Sequence, residues 1–227
     1  MILLILGRGK TGLLVAEVAR QRGHEVRVLG SAENRKAAGL TPATLRDVAV
    51  VIDFTTPQAV LENVAACTHA RKNMVVGTTG WYEKLPKIRE LVTRSGIGLL
   101  YASNFSVGVN VFFEVARAAA AALQHGYNGE IMERHHAQKK DAPSGTAVVL
   151  QKILRESGGQ ELEIVSLREG ETVGLHEIVL DSHNDTIRLA HDAKSRRGFA
   201  EGAVRAAEWL AGRSGFFDFH EVWRELR

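Results

Sequence analysis

The stretch Ile2-Leu3-Leu4-Ile5-Leu6-Gly7-Arg8-Gly9-Lys10-Thr11-Gly12 decides the reading of the fold. Five apolar residues in unbroken succession suit a parallel strand covered on both faces, because a half-exposed strand would alternate. The glycines that follow have G-x-G-x-x-G spacing. Each answers a separate demand: Gly7 the tight turn, Gly9 the close approach of a pyrophosphate, Gly12 the packing of helix on strand. Leu13 to Arg22 is apolar at helical spacing, and Gly23 supplies a stop. Glu25 to Leu29 reads as the next strand. The motif thus stands in strand–turn–helix–strand context, and Gly7, Arg8, Gly9, Lys10, Thr11 and Gly12 form the expected cofactor-binding loop. A glycine-rich turn without a ligand is the plainer alternative.

Further strands are predicted at Val48 to Phe54, Met74 to Val76 and Ile97 to Ala102, with helices at Gln58 to Arg71 and Lys84 to Ser95. Strands and helices in alternation imply an α/β fold, a Rossmann-type doubly wound parallel sheet. Ligands of such sheets lie outside the carboxyl ends of the strands. Three polar segments fall at such ends: Asp53-Phe54-Thr55-Thr56-Pro57, Gly77-Thr78-Thr79-Gly80 and Ser103-Asn104-Phe105-Ser106-Val107-Gly108. The acid expected roughly 20 residues after the glycine turn, to bond the ribose hydroxyls, is not in place. The second strand runs into Leu29-Gly30-Ser31-Ala32, and Glu33 comes late. Arg8, Arg35 and Lys36 are positioned to hold an extra phosphate. This favours NADPH over NADH, with use of both possible.

After an alanine-rich helix at Val107 to Gln124 the pattern changes. Short strands are predicted at Gly129–Arg134, Glu161–Arg168, Leu175–Asp181 and Asp185–His191, with a helix at Ser144–Ser157. Thr186 to His191 alternates with period 2, as a half-buried strand does. This predicts a second, α+β domain with a mixed, mainly antiparallel open sheet over residues 107–195. Helices at Phe199 to Leu210 and Phe216 to Leu226 would return the chain to the first domain, residues 1–106 and 196–227. Trp209 and Leu210 read as core.

The most reactive stretch is Glu133-Arg134-His135-His136-Ala137-Gln138-Lys139-Lys140-Asp141-Ala142-Pro143-Ser144-Gly145-Thr146-Ala147. Asp141 and Ser144 are candidate helix caps, and Pro143 suits a first helical turn. The backbone N–H groups near Ser144, Gly145 and Thr146 would then be unpaired and able to bind an anion, a carboxylate included. Imidazole holds or passes a proton near neutral pH, and a lysine donates one and pairs with carboxylates. His135 or His136 can face one pocket with Lys139 if the connection curls. A solvated basic loop before an ordinary helix is the alternative.

The string H-H-x-x-K-x-D-A-P-S-G-T-A resembles the signature of the dihydrodipicolinate reductase family. The segments D-F-T, G-T-T-G and N-F-S-V-G-V-N are similar to family motifs, in the same order. The resemblance implies that Phe54, Thr55, Gly77, Thr78, Thr79, Ala102, Ser103, Asn104 and Phe105 contact the cofactor. It further implies hydride transfer from NAD(P)H to 4-hydroxy-tetrahydrodipicolinate, a small dianionic heterocycle, giving tetrahydrodipicolinate for diaminopimelate and lysine synthesis. Lys139 is the expected proton donor, with His135 shaping proton supply and charge. His136, Lys139, Ser144, Gly145 and Thr146 are the expected substrate-binding set. Arg168 to Glu177 is similar to the family's R-x-G-x-x-x-G-x-H segment, otherwise a glycine-rich hairpin. Ser195 to Ala203 resembles its return crossing, with Arg196 as hinge, and a homotetramer is implied. A reductase of another small dicarboxylate and a non-catalytic dinucleotide-binding redox sensor are the competing readings.

Bulk composition narrows the classes. The chain has 227 residues, 45% hydrophobic and 24% charged, with a formal net charge of +3. That is too mild to argue for nucleic acid and suits small anionic ligands. No stretch is expected to approach the roughly 20 apolar residues that span a bilayer, so no membrane partner is expected. Met1 to Leu6 reads as a strand, not a leader. The one cysteine, Cys67, fits a reducing cytoplasm. No metal-ligand spacing stands out among the histidines.

Overall fold

The computed structural model describes residues 1–226; Arg227, the last residue of the expected first domain, lies outside them. In chain order the elements are β1 (Ile2–Leu6), α1 (Lys10–Gln21), β2 (Glu25–Leu29), α2 (Pro42–Leu45), β3 (Val48–Asp53), α3 (Pro57–His69), β4 (Asn73–Val76), α4 (Leu85–Ser95), β5 (Gly98–Tyr101), α5 (Val107–Ala119), β6 (Asn128–His135), α6 (Gly145–Gly158), β7 (Glu163–Arg168), β8 (Leu175–Asp181), β9 (Thr186–Asp192), α7 (Arg197–Leu210), β10 (Gly215–Asp218) and α8 (Phe219–Val222). They form two compact units. One comprises Met1–Ser106 together with the chain from Arg197 onward; the other is Val107–Arg196.

The first unit holds a parallel six-stranded sheet of order β10-β5-β4-β3-β1-β2. Side chains alternate along each strand, so successive residues feed opposite cores. Leu3, Ile5, Val50, Ile52, Val75 and Leu100 pack with α1, α7 and α8. Leu4, Leu6, Val51, Met74, Val76 and Leu99 pack with α3 and α4 around Trp81. With both faces covered, the strands must be continuously apolar, as Ile2 to Leu6 is. Leu6 pairs with Leu29 and Asp53, Asp53 with Val76, and Val76 with Tyr101. The carboxyl ends are therefore level, and the chain order reverses at β1. This is where an open α/β sheet places its ligand.

The expected helix at Phe216 to Leu226 is not formed. Gly215–Asp218 is the sixth strand, and only the one-turn α8 and a 3-10 turn follow. The reason is that Phe216 packs on one side of the sheet and Phe217 on the other. That arrangement is open to neighbours on a strand, not on a helix. Trp209 is only partly buried, its indole N–H donating to Glu225 at 3.1 Å, whereas Leu210 is core.

The second unit is a sheet of order β7-β6-β8-β9, with β6 and β7 parallel and the other pairs antiparallel. The α5 and α6 helices pack on it through Val109, Phe112, Phe113, Ala116, Leu150 and Leu154. The helix Val107–His125, α5 with its 3-10 continuation, is long and apolar enough by length and composition to cross a bilayer, contrary to expectation. Its buried side chains, Phe112 and Phe113 among them, belong to this core. Ser144 caps α6, its Oγ accepting from Ala147 N at 3.2 Å. Pro143 lies before that cap, on a cis peptide bond after Ala142, and not in the first helical turn.

Candidate active site

On the first unit, the glycine turn is shaped as the spacing demands. Gly7 has φ of +107°, and a β-carbon there would lie 2.2 Å from the Phe54 carbonyl oxygen. A β-carbon on Gly12 would lie 2.2 Å from the Gly7 carbonyl oxygen. Around Gly9 there is open space, and no side chain caps α1 behind it. Lys10 and Thr11 open that helix, and no acidic residue occupies its first turn. The cradle fits a pyrophosphate approaching a helix start.

Arg8 is engaged: its guanidinium pairs with Glu33 at 2.7 Å and donates to the Val28 carbonyl at 3.3 Å. The second oxygen of Glu33 accepts from Gly30 N at 2.6 Å. Glu33 thus folds back to the end of β2, where the sequence offered no acid in register.

The neighbouring strand ends are braced from beneath by Asp53, which is fully buried. Its carboxylate accepts from Thr55 N (2.9 Å), Thr55 Oγ1 (2.6 Å), Thr78 Oγ1 (2.8 Å) and Asn63 Nδ2 (2.8 Å). Burial raises its pKa against the pull of these donors. The hydroxyls of Thr55 and Thr78 are therefore spent on holding two loops together. Phe54 lies over Gly77, where a β-carbon would come within 2.3 Å of its ring. Ala102 and Phe105 are buried, while Ser103 and Thr79 are exposed. Asn104 Oδ1 accepts from Ser106 N at 2.9 Å.

On the second unit, β6 sorts the reactive stretch by alternation. Ile131, Glu133 and His135 are buried; Met132 and Arg134 alternate with them and are half-buried, and His136, also half-buried, lies just past the end of the strand. His135 and His136 have different partners, Glu133 for the one and Arg196 for the other. The Nε2 of His136 accepts from Arg196 at 3.2 Å. Lys139 donates from Nζ to Asp141.

Glu133 is fully buried and collects three elements. One oxygen accepts from Arg168 Nη2 at 2.7 Å and from Ser144 N at 3.3 Å; the other faces His135 Nδ1. Burial opposes its ionisation, but Arg168, Ser166 and His135 together hold its pKa down to about 2. Burial, joined by the charges of Lys139 and Arg168, lowers the pKa of His135 against the pull of Glu133. His176 stands edge-on to His135, ring centroids 5.1 Å apart, and its Nε2 meets Ser144 Oγ at 2.9 Å. The expectation that the Ser144 N–H is unpaired is thus corrected: Glu133 uses it. Around Gly145 there is open space for a ligand.

Glu133, His135 and His176 bring ligand-type atoms within 4.8 Å of one another. The carboxylate, however, is already taken by a guanidinium, a backbone N–H and an imidazole, so the set reads as a hydrogen-bonded one. Neither Glu133 nor Asp53 stands out in the sequence. Arg168 and His176 appear there only as parts of a glycine-rich segment. The signal for Glu133 was available, since i and i+2 of a strand share a face.

Residues 1–105 match the family model described as dihydrodipicolinate reductase, N-terminus, and residues 108–223 match the one described as dihydrodipicolinate reductase, C-terminus. The chain belongs to the dihydrodipicolinate reductase family. Its relatives include the 4-hydroxy-tetrahydrodipicolinate reductase of Christiangramia forsetii, 36% identical over 242 aligned positions that cover 100% of this chain and 99% of that one. The enzyme of the same name from Chromobacterium violaceum is 38% identical over 201 positions, covering 79% and 75%. Among solved structures, the dipicolinate-bound dihydrodipicolinate reductase from Paenisporosarcina sp. TG-14 superposes with a TM-score of 0.78 over 98% of this chain and 99% of that chain, at 23% identity. That likeness shows the fold. The dihydrodipicolinate reductase reading made from the motifs is borne out, and so is the α/β architecture with a second mixed sheet. Like its family, this reductase is a pyridine-nucleotide-dependent oxidoreductase.

Proposed function

We propose that the chain catalyses NAD(P)H-dependent reduction of 4-hydroxy-tetrahydrodipicolinate to tetrahydrodipicolinate, the activity its curated relatives are named for, and that its two units divide the labour. The first unit binds the dinucleotide: Gly7 to Gly12 take the pyrophosphate, and the segments bearing Phe54, Thr55, Gly77, Thr78, Thr79, Ala102, Ser103, Asn104 and Phe105 line the nicotinamide. When bound, the dinucleotide supplies the hydride. Asn104 is suited to the carboxamide, which presents both a donor and an acceptor.

The second unit binds the dianion. Gly145 and Thr146 at the start of α6, the Ser144 turn, Lys139, and His136 backed by Arg196 meet the carboxylates. Reduction places a hydride on one carbon and a proton on its neighbour. Lys139 gives that proton, and His135 replenishes it and stabilises the charge that develops. The observation that carries this reading is the buried His135 held beside the α6 start, in a member of this family.

Cofactor use is proposed to extend to both NADPH and NADH. Glu33 offers the ribose hydroxyls an acceptor, and Arg8 offers a 2′-phosphate a cation once it leaves Glu33. The enzyme works in the cytoplasm as a homotetramer, joined through the open sheet of the second unit. The alternate residues of β9 are exposed, in keeping with a face that a second copy covers. Light scattering on the purified protein tests the tetramer.

The reaction is tested by following NAD(P)H oxidation with substrate generated by the preceding synthase. Synthase-dependent turnover is expected with wild type, and Lys139→Ala should lose most of kcat with little change in cofactor affinity. Absence of synthase-dependent turnover in a folded, dinucleotide-binding protein would overturn the reading.

A further inference from the structure

Glu133 has no part in the hydride and proton transfers described above, yet it is the one fully buried carboxylate of the second unit among the described residues. A buried charge is costly unless paired and hydrogen-bonded. Its partners come from three places: Arg168 at the end of β7, the Ser144 N–H at the start of α6, and His135 on the same strand. An ionised carboxylate can only accept. The His135 nitrogen that faces it, Nδ1, must therefore carry the hydrogen. In the neutral ring this leaves the lone pair on Nε2.

The far side of the ring is kept clear. A β-carbon at position 174 would come within 3.0 Å of Nε2, and the residue there is Gly174. The charged or titratable groups facing His135 are Glu133, Lys139, Arg168 and His176.

We propose that Glu133 is a positioning residue for the reduction: clamped by Arg168 and the Ser144 N–H, it holds His135 as the Nδ1–H tautomer and presents Nε2 as the atom that takes and returns the proton. The same carboxylate locks the imidazole to the substrate-binding turn, so ring and turn keep one spacing. The role of His135 rests on the reductase reading; the tautomer does not.

The test uses the full chain labelled with 15N-histidine, with the His135 signal assigned by its loss in His135→Gln. Wild type should show neutral His135 protonated on Nδ1. In Glu133→Gln the side-chain carbonyl keeps Arg168, and the amide NH2 turns to the ring, which must then accept at Nδ1. His135 should switch to the Nε2–H form. The value of kcat should fall by about a hundredfold or more, in line with loss of a positioned acid–base group, while KM for the dinucleotide changes by less than about twofold. Should Glu133→Gln not fold, Glu133→Asp draws the charge back by one methylene and should cost about tenfold in kcat. A wild-type ring protonated on Nε2, or a folded Glu133→Gln with undiminished kcat, overturns the proposal. If wild type itself does not turn over the substrate, the reaction assignment fails, and the spectra still decide the tautomer.

Discussion

The Lys139 ammonium donates to both carboxylate oxygens of Asp141, at 2.7 and 2.8 Å. The lysine is largely sheltered and the aspartate is exposed, with side-chain exposures of 21% and 61%. On the proposed reading, in which Lys139 meets a substrate carboxylate, Asp141 occupies that carboxylate's place. Removing it frees Lys139 for the dianion. We expect Asp141→Asn to lower KM for the substrate several-fold and to change unfolding free energy by less than about 1 kcal/mol, because exposed ion pairs contribute little. Steady-state kinetics with denaturant unfolding checks both. A raised KM would mean that Asp141 orients the lysine instead of competing for it.

Glu33 is the residue we propose to set the balance between cofactors. It accepts from Gly30 N and holds Arg8. Glu33→Ala takes away the acceptor for ribose hydroxyls and releases the guanidinium to a 2′-phosphate. The ratio of kcat/KM for NADPH over NADH should rise about tenfold, on the order of 1.4 kcal/mol. An unchanged ratio would place discrimination elsewhere, with Lys10, Arg35 and Lys36 next to be substituted.

Two glycines of one motif should fail in different ways. Gly12→Ala drives a β-carbon onto the Gly7 carbonyl oxygen and should cost about 2 kcal/mol or more of stability. Gly9→Ala meets no protein atom, so Tm should barely move. Dinucleotide Kd should nevertheless rise about tenfold or more, since the methyl group would stand where the proposed site takes the pyrophosphate. Thermal melts of the apoprotein and titration with NADPH separate the two. A Gly9→Ala variant with unaltered affinity would put the phosphates elsewhere.

Acid should weaken the second unit through His176. Burial first, and then the charge of His135, push its pKa from 6.5 down to about 4. The folded state thus keeps the ring neutral while the unfolded chain takes up a proton. This contribution is complete above pH 6.5 and is lost as pH falls from there towards 4, amounting to something on the order of 3 kcal/mol. Glu133 acts lower, its share being present above about 4.5 and lost towards 2. His176→Asn should flatten the dependence of unfolding free energy on pH between 6.5 and 4. Parallel curves for wild type and variant would argue that the ring is charged in the fold.

Much of the first unit was legible because its constraints are local. An apolar run followed at once by three spaced glycines admits few structures, and each later strand ends in polar residues where the sheet needs its loops. β10 escaped because four residues, the first a glycine, ahead of a one-turn helix carry too little periodicity; only their two-sided packing identifies them. Asp53 and Glu133 escaped for another reason. A buried carboxylate is defined by donors distant in sequence, such as Thr78 for the one and Arg168 for the other, and no local pattern announces them. The two adjacent histidines looked like a pair in the string, and the fold gives them different partners, Glu133 for His135 and Arg196 for His136.

The edge strand β10 and the long α7 both follow the second unit in the chain, yet they complete the sheet and core of the first. During synthesis the amino-terminal strands therefore leave the ribosome with Leu3, Ile5 and Val75 lacking the part of their cover that α7 supplies, and with β5 paired on its β4 side alone. The inserted unit can fold while the first waits. Nascent chains stalled before Arg197 should expose an open parallel edge and part of an apolar face, so this is the interval in which association with other chains is most favoured.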